Sequence, residues 1–237
     1  KAVELLGKAK TASGGAVTGF EIISAFGLGL VTKHVPDTRD PLPSAAGWRV
    51  LMELSLPRVE GAKEMIEGLL GDAAEAGTIV DAVIAESEAQ KTMLWKLRES
   101  VPIAERVHGK ALKHDVSVPV SRVAEFIERG DALARKLAPG VDVIAFGHVG
   151  DGNIHFNVTP PPVADRDAWL EGEGQKVSHA IHDLICSLNG SISAEHGIGK
   201  LKRDELATRK SQVEMDLMRA VKKAIDPQNR MNPGRVL

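Results

Sequence analysis

A single cysteine in 237 residues leaves nothing for an internal disulfide to join. Cys186 lies in the helical apolar pattern Ala180-Ile181-His182-Asp183-Leu184-Ile185-Cys186, so it reads as a buried, inert thiol rather than a nucleophile. Neither a basic stripe nor an Arg-rich tail accompanies the formal net charge of −2, which argues against nucleic acid as a partner. There is no secretory leader pattern and no apolar run of spanning length. The chain therefore reads as cytoplasmic, with association at the inner-membrane surface left open. G-x-G-x-x-G is missing, and Gly197-Ile198-Gly199-Lys200 lacks both the first glycine and the Ser or Thr of a P-loop, so no phosphate-cradling segment is recognised. An initiator Met is missing too. The chain starts at Lys1 within an amphipathic pattern (Val3, Leu5, Leu6) and reads as a fragment or processed chain, long enough for one large domain or two small fused ones.

What is present centres on residues 146–158. Asp151-Gly152 between two β-prone runs predicts a hairpin with a two-residue loop, because Gly accepts the positive φ such a turn needs. Counting outward puts Val149 opposite Ile154 and His148 opposite His155, with Phe146, Asn157 and Thr159 on the same face as the histidines. The plain reading is a surface hairpin that carries two His. Against it stands Ser193-Ala194-Glu195-His196-Gly197-Ile198-Gly199-Lys200, which sets a carboxylate beside a third imidazole in a Gly-bracketed segment. His148, His155 and Glu195 would form a two-His, one-carboxylate set for a divalent metal, with positions left open for substrate as in catalytic zinc sites.

Along the chain, Thr18-Gly19-Phe20-Glu21 reads as a capping box opening a helix through about Val31, and Pro36 to Pro43 as a linker. Alternation at Trp48, Val50, Met52 and Leu54 predicts a strand. Helical spacing follows from Ala62 to Ala73, then a strand over Ile79 to Ala85 and a long helix from about Glu88 to Val107. From there the order is strand (about 111–118), helix (121–137), strand (141–149), strand (154–159), helix (165–188) and strand (191–193). This βαββαβ order is ferredoxin-like. Ser211-Gln212-Val213-Glu214 reads as a capping box for a last helix that Asp226-Pro227 ends. His179 and His182, three apart on the long helix, read as surface residues. Taken by themselves, Arg98 and Lys113 read as solvated surface cations.

The runs GHVGDGNIHFN and SAEHGIGK, the end Asn232-Pro233-Gly234-Arg235, and upstream Leu94-Trp95-Lys96-Leu97-Arg98-Glu99 and Lys113-His114-Asp115-Val116-Ser117-Val118-Pro119 together resemble the C-terminal half of FAD-linked oxidases. That family includes D-lactate, glycolate and D-2-hydroxyglutarate oxidising enzymes. The resemblance implies an α+β fold of two ferredoxin-like units, antiparallel sheet with helices packed on one face. Residues 1–45 would be a helical lead-in and linker, 46–108 the first unit, and 109–237 the second unit with the C-terminal helix. An FAD-binding domain would precede residue 1 and hold most of the FAD.

The activity implied is oxidation of a D-2-hydroxy acid to a 2-oxo acid. His148, His155 and Glu195 would hold the metal, most simply zinc, and His196 would take the hydroxyl proton. Arg98, Lys113 and Asn157 would bind the substrate, and Asn232 would contact the cofactor. Where relatives that bind 2-hydroxyglutarate have a Thr four residues after the Arg, this chain has Pro102. Implied partners are the FAD-binding domain, an electron acceptor (quinone, cytochrome or electron-transfer flavoprotein) and a second copy in a homodimer. The competing readings are a metal-dependent hydrolase that uses the same His, His and Glu on water, and a non-catalytic metal-binding domain.

Overall fold

The computed structural model describes residues 1–42, 46–56, 58 and 60–237. Helix α1 (Ala2–Ala12) leads into strand β1 (Val17–Ser24), where the sequence reading had placed the start of a helix. Phe20, Ile22 and Ile23 explain the difference, because aromatic and β-branched residues favour a pleated surface and here gain two neighbouring strands. The helix starts one turn later. In α2 (Ala25–His34), Ser24 is the N-cap and its Oγ accepts from the Gly27 N–H at 3.3 Å. Pro43, the end of the expected linker, lies outside the described residues.

Strand β2 (Trp48–Leu54) and helix α3 (Ala62–Glu75) form as their periodicities predict. The strand expected over 79–85 does not form, and Val80 and Val83, which a sheet face would have buried, face solvent. The long helix expected next divides at Ser100 into α4 (Glu88–Glu99) and α5 (Val101–His108). Pro102 is the cause, since it has no N–H to donate and its ring crowds the carbonyl four residues earlier.

The second half runs β3 (Leu112–Ser117), α6 (Val123–Leu137), β4 (Val143–His148), β5 (Asn153–Val158), α7 (Arg166–Glu171) and α8 (Glu173–Ser187), then α9 (Arg203–Arg209) and α10 (Gln212–Ile225). Gly172 separates α7 from α8, which had been expected as one helix. The expected strand at 191–193 shrinks to a single antiparallel bridge, Ser191 to Ser117. That bridge, β3, β5 and β4 stand in the ferredoxin-like order. The first half does not close a sheet of its own among the described residues; β1 pairs with the other edge of β4, giving one antiparallel sheet in the order β2-β1-β4-β5-β3. The architecture is α+β, as expected. On α10 the capping box forms in both directions between Ser211 and Glu214. Cys186 is half-buried on α8.

The hairpin register differs by two residues from the expected one. His148 lies opposite Asn153 and Phe146 opposite His155, so Val149 to Gly152 make a four-residue loop. Packing decides this. The Gly152 carbonyl accepts from the Val118 N–H at 3.0 Å, and a Cβ on Gly152 would sit 2.0 Å from the Val118 oxygen. A slip of two preserves the face of every side chain, where a slip of one would have inverted them all.

One sheet face carries Phe20, Ile22, Ala145, Ile154, Phe156 and Val116 into a core closed by α1, α6 and α8. Each fully buried Ile or Phe contributes roughly 1.5–3 kcal/mol there. On the opposite face Ile23, Ile144 and Phe146 meet Leu28, Val31, Val101 and Ala104 from α2 and α5. The remainder of that face, which these helices leave open, is polar.

Candidate active site

On the polar part of the sheet, strand pairing sets Glu21 opposite His148 and, two residues along the strands, Asp115 opposite His155. Phe146 stacks on His155 with ring centroids 4.7 Å apart. Glu195 reaches both pairs from the segment after α8. Its Oε1 lies 3.2 Å from His148 Nε2 and its Oε2 3.7 Å from His155 Nε2.

Each imidazole has a carboxylate behind it. His148 Nδ1–H donates to Glu21 Oε1 at 2.5 Å, and Asp115 Oδ1 stands 3.8 Å from His155 Nδ1. Burial pushes the His155 pKa down against the opposing pull of Asp115 and Glu195, which favours a neutral ring with a free lone pair. This donor set fits a divalent ion. Two ligands of a tetrahedral ion bound at 2.0–2.1 Å stand roughly 3.3 Å apart, close to both His–Glu gaps, and a carboxylate behind each His is the usual support of such ligands. The ligand atoms that lie within 4.8 Å of one another belong to Asp115, His155 and Glu195, so His148 approaches Glu195 while standing apart from that cluster. Asp115 is buried, and its Oδ2 already accepts from the Glu195 and His196 backbone N–H groups at 2.8 and 2.7 Å.

The other expected residues converge on the same cleft of about 300 Å³, lined among others by Trp95, Arg98, Pro102, Lys113, Asn157 and His196. Arg98 is buried. Its Nε–H donates to Glu21 Oε2 at 2.6 Å, and its guanidinium carbon lies 4.9 Å from the centre of the Phe146 ring. Lys113 Nζ is 3.4 Å from Glu105 Oε2. Asn157 is buried and doubly engaged: Nδ2–H donates to Glu105 Oε2 at 3.0 Å, and Oδ1 accepts from the His114 N–H at 3.2 Å. His196 is exposed at the cleft mouth, its Nδ1 3.8 Å from Asp115 Oδ2. Asn232 is exposed in the C-terminal tail and does not line the cleft. His182, read as a surface residue, is buried: its Nδ1 bonds Glu205 Oε1 at 2.8 Å because α9 folds back over α8.

Three residues that hold the candidate side chains in place carry no local sequence signal for it. Glu21 falls in a capping-box pattern. Asp115 was legible only as part of a motif, although alternation along β3 puts it on the face of Lys113. Glu105 looked like any charged residue of a helix.

Residues 1–236 match the family described as FAD linked oxidases, C-terminal domain. The chain belongs to this family. A D-2-hydroxyglutarate dehydrogenase of Stutzerimonas stutzeri (strain A1501) is 35% identical over 221 residues, 93% of this chain and 47% of that protein. The mitochondrial D-2-hydroxyglutarate dehydrogenases of Arabidopsis thaliana and Rattus norvegicus are each 30% identical, over 99% and 94% of this chain and 40% of each relative. The chain thus spans less than half the length of these relatives. As a member of the family it carries the family's association with FAD. No helix among the described residues is long and apolar enough to cross a membrane.

Proposed function

We propose that this chain is the substrate- and metal-binding domain of an FAD-dependent dehydrogenase that oxidises a D-2-hydroxy acid to the 2-oxo acid. The single observation that carries this reading is the meeting of His148, His155, Glu195 and His196 with Arg98 and Lys113 at one small cleft. Oxidation at C2 releases a proton from the hydroxyl and a hydride from carbon. The residues here would handle the proton and the orientation, and FAD would be the hydride acceptor.

In this reading His148, His155 and Glu195 hold a divalent ion, for which zinc suits the nitrogen and oxygen set. Bound there, the ion would supply Lewis acidity that lowers the pKa of the substrate hydroxyl. Asp115, with Oδ2 committed to two backbone amides, holds the loop that presents Glu195 and His196. Glu21 and Asp115 orient the two ligand imidazoles. Arg98 is fixed by Glu21 through Nε alone, and no hydrogen bond to its two terminal nitrogens is found among the described residues, so they can take the substrate carboxylate as a fork. His196, exposed at the mouth, is the group free to accept the hydroxyl proton. FAD, an FAD-binding domain and an external electron acceptor complete the proposed enzyme.

Anaerobic mixing of the full-length flavoprotein with D- and L-2-hydroxy acids tests the reading. Flavin bleaching by D-acids, lost after chelation and restored by zinc, is expected. No bleaching by any 2-hydroxy acid, or hydrolysis of esters in its place, would overturn it.

A further inference from the structure

Resting on that reading, one buried ring takes a part in the proposed reaction. On the cleft side of the sheet β4 carries Ile144, Phe146 and His148 in alternation, so Phe146 stands where the apolar cluster against α2 and α5 meets the polar cleft. It is 3% exposed. Its ring lies against two of the candidate site residues. The Arg98 guanidinium carbon is 4.9 Å from its centroid, and the His155 ring stacks on it at 4.7 Å with the planes 27° apart. Both are distances at which such groups attract. Arg98 is tethered by Glu21 on β1, His155 stands on β5, and β4 lies between those two strands, so the phenyl ring separates the cation from the imidazole.

What such a ring does follows from how planar groups are held. A hydrogen bond fixes one atom of a side chain and leaves its plane free to tilt, whereas a flat neighbour in contact removes the tilt. Arg98 is hydrogen-bonded through Nε alone among the described residues, and the Phe146 face then aims its two terminal nitrogens. His155 has Asp115 Oδ1 3.8 Å from Nδ1, longer than a hydrogen bond, so its plane depends still more on the ring. We infer that Phe146 is a positioning residue: one rigid ring sets the planes of both the Arg98 fork and His155, and so fixes how far the substrate carboxylate stands from the proposed ion. A 2-hydroxy acid presents its carboxylate and hydroxyl on adjacent carbons, so its recognition needs that spacing held to about 0.5 Å. The plainer alternative is that Phe146 only fills the apolar cluster with Ile144, Val31 and Val101. Replacing it would then alter stability alone.

The test compares Phe146→Leu, which keeps an apolar side chain without a planar face, with Val31→Ala, which opens the same cluster away from the cleft. Two values are read on the full-length flavoenzyme: zinc affinity by calorimetry after chelation, and KM for D-lactate or D-2-hydroxyglutarate, whichever reduces the flavin faster. Phe146→Leu should weaken zinc binding about tenfold and raise KM about tenfold, while Val31→Ala lowers the unfolding midpoint and leaves both values within about twofold. In an Arg98→Met background Phe146→Leu should no longer move KM, because it acts through the guanidinium. An unmoved zinc affinity or KM in Phe146→Leu, or an equal shift in Val31→Ala, would overturn the inference. So would a full effect of Phe146→Leu on KM without Arg98. If Phe146→Leu does not fold, Phe146→Met, closer in volume and equally without a ring, takes its place. A wild type that binds no zinc, or whose flavin no acid reduces, refutes the proposed function on that arm, and the other arm still decides Phe146.

Discussion

Glu21 ties two of the candidate site residues together: one oxygen accepts from His148 and the other from Arg98, and the residue itself is buried. Removing one partner from a buried ion pair strands the other charge, at about 3–5 kcal/mol. Arg98→Ala should therefore destabilise the fold by that amount, read in urea unfolding. In the flavin-loaded protein it should also raise KM by about ten- to a hundredfold through the lost carboxylate fork. Combining Arg98→Met with Glu21→Gln should recover much of the stability and none of the KM, which separates the two roles. His196 has a lighter structural duty: its backbone N–H donates to Asp115, and its exposed ring stands 3.8 Å from the same carboxylate and beside His155. His196→Ala should keep flavin and metal but slow flavin reduction by about a hundred- to ten-thousandfold in rapid mixing. Near-normal reduction would exclude it as the base.

Strand β3 serves both faces of the sheet through its alternation. Lys113 and Asp115 face the cleft, while His114 points into the core between Phe156 and α8. His114 Nδ1–H donates to the Phe156 carbonyl at 2.7 Å, which leaves Nε2 to accept from Ser178 Oγ–H at 3.0 Å, so the neutral ring is fully used. Burial, then the neighbouring His182, pushes its pKa down to about 3. An unfolded His titrates near 6.5, so between those values the unfolded chain binds more protons than the folded one. The stability contributed is thus complete above about pH 6.5 and is lost as pH falls toward 3. By linkage His114 alone should remove about 2 kcal/mol between pH 7 and pH 5. His182, lowered chiefly by burial, acts in the same direction. Urea midpoints across that range should fall, and His114→Gln should flatten the slope.

For the molecule as a whole, the sheet is a partition: an apolar face against α1, α6 and α8, and an opposite face divided between a small apolar cluster and the polar cleft. Both imidazole ligands proposed for the ion stand on adjacent paired strands of that partition, so the site should be largely formed before metal arrives. The chain should bind about one zinc ion, with an added stability of about 2.7 kcal/mol at a free concentration a hundredfold above Kd. His148→Ala and His155→Ala should lose the ion and its thermal shift, whereas His182→Ala, whose ring sits between α8 and α9, should keep both. Equal metal content in all three variants, by elemental analysis, would remove the hairpin from the proposed site.

Local chemistry alone was enough for β2, α3, the capping box of Ser211 and Glu214, and the hairpin with His148 and His155 on one face. Each rests on a short-range period or cap that a few residues specify. The α+β class and the gathering of Arg98, Lys113, Asn157, His196 and Glu195 were legible through motifs spaced along the chain. Tertiary structure decided what depends on partners far away in sequence. Glu21 became part of a strand because β2 and β4 flank it, outweighing a plausible cap. The hairpin loop lengthened to four residues because Gly152 packs under the backbone at Val118. Residues 79–85 stayed out of the sheet, with Val80 and Val83 left facing solvent and not packed on a sheet face. Asp115 and Glu105 took on their roles only once burial gave their carboxylates specific neighbours, and burial is a property of the folded chain that no local pattern encodes.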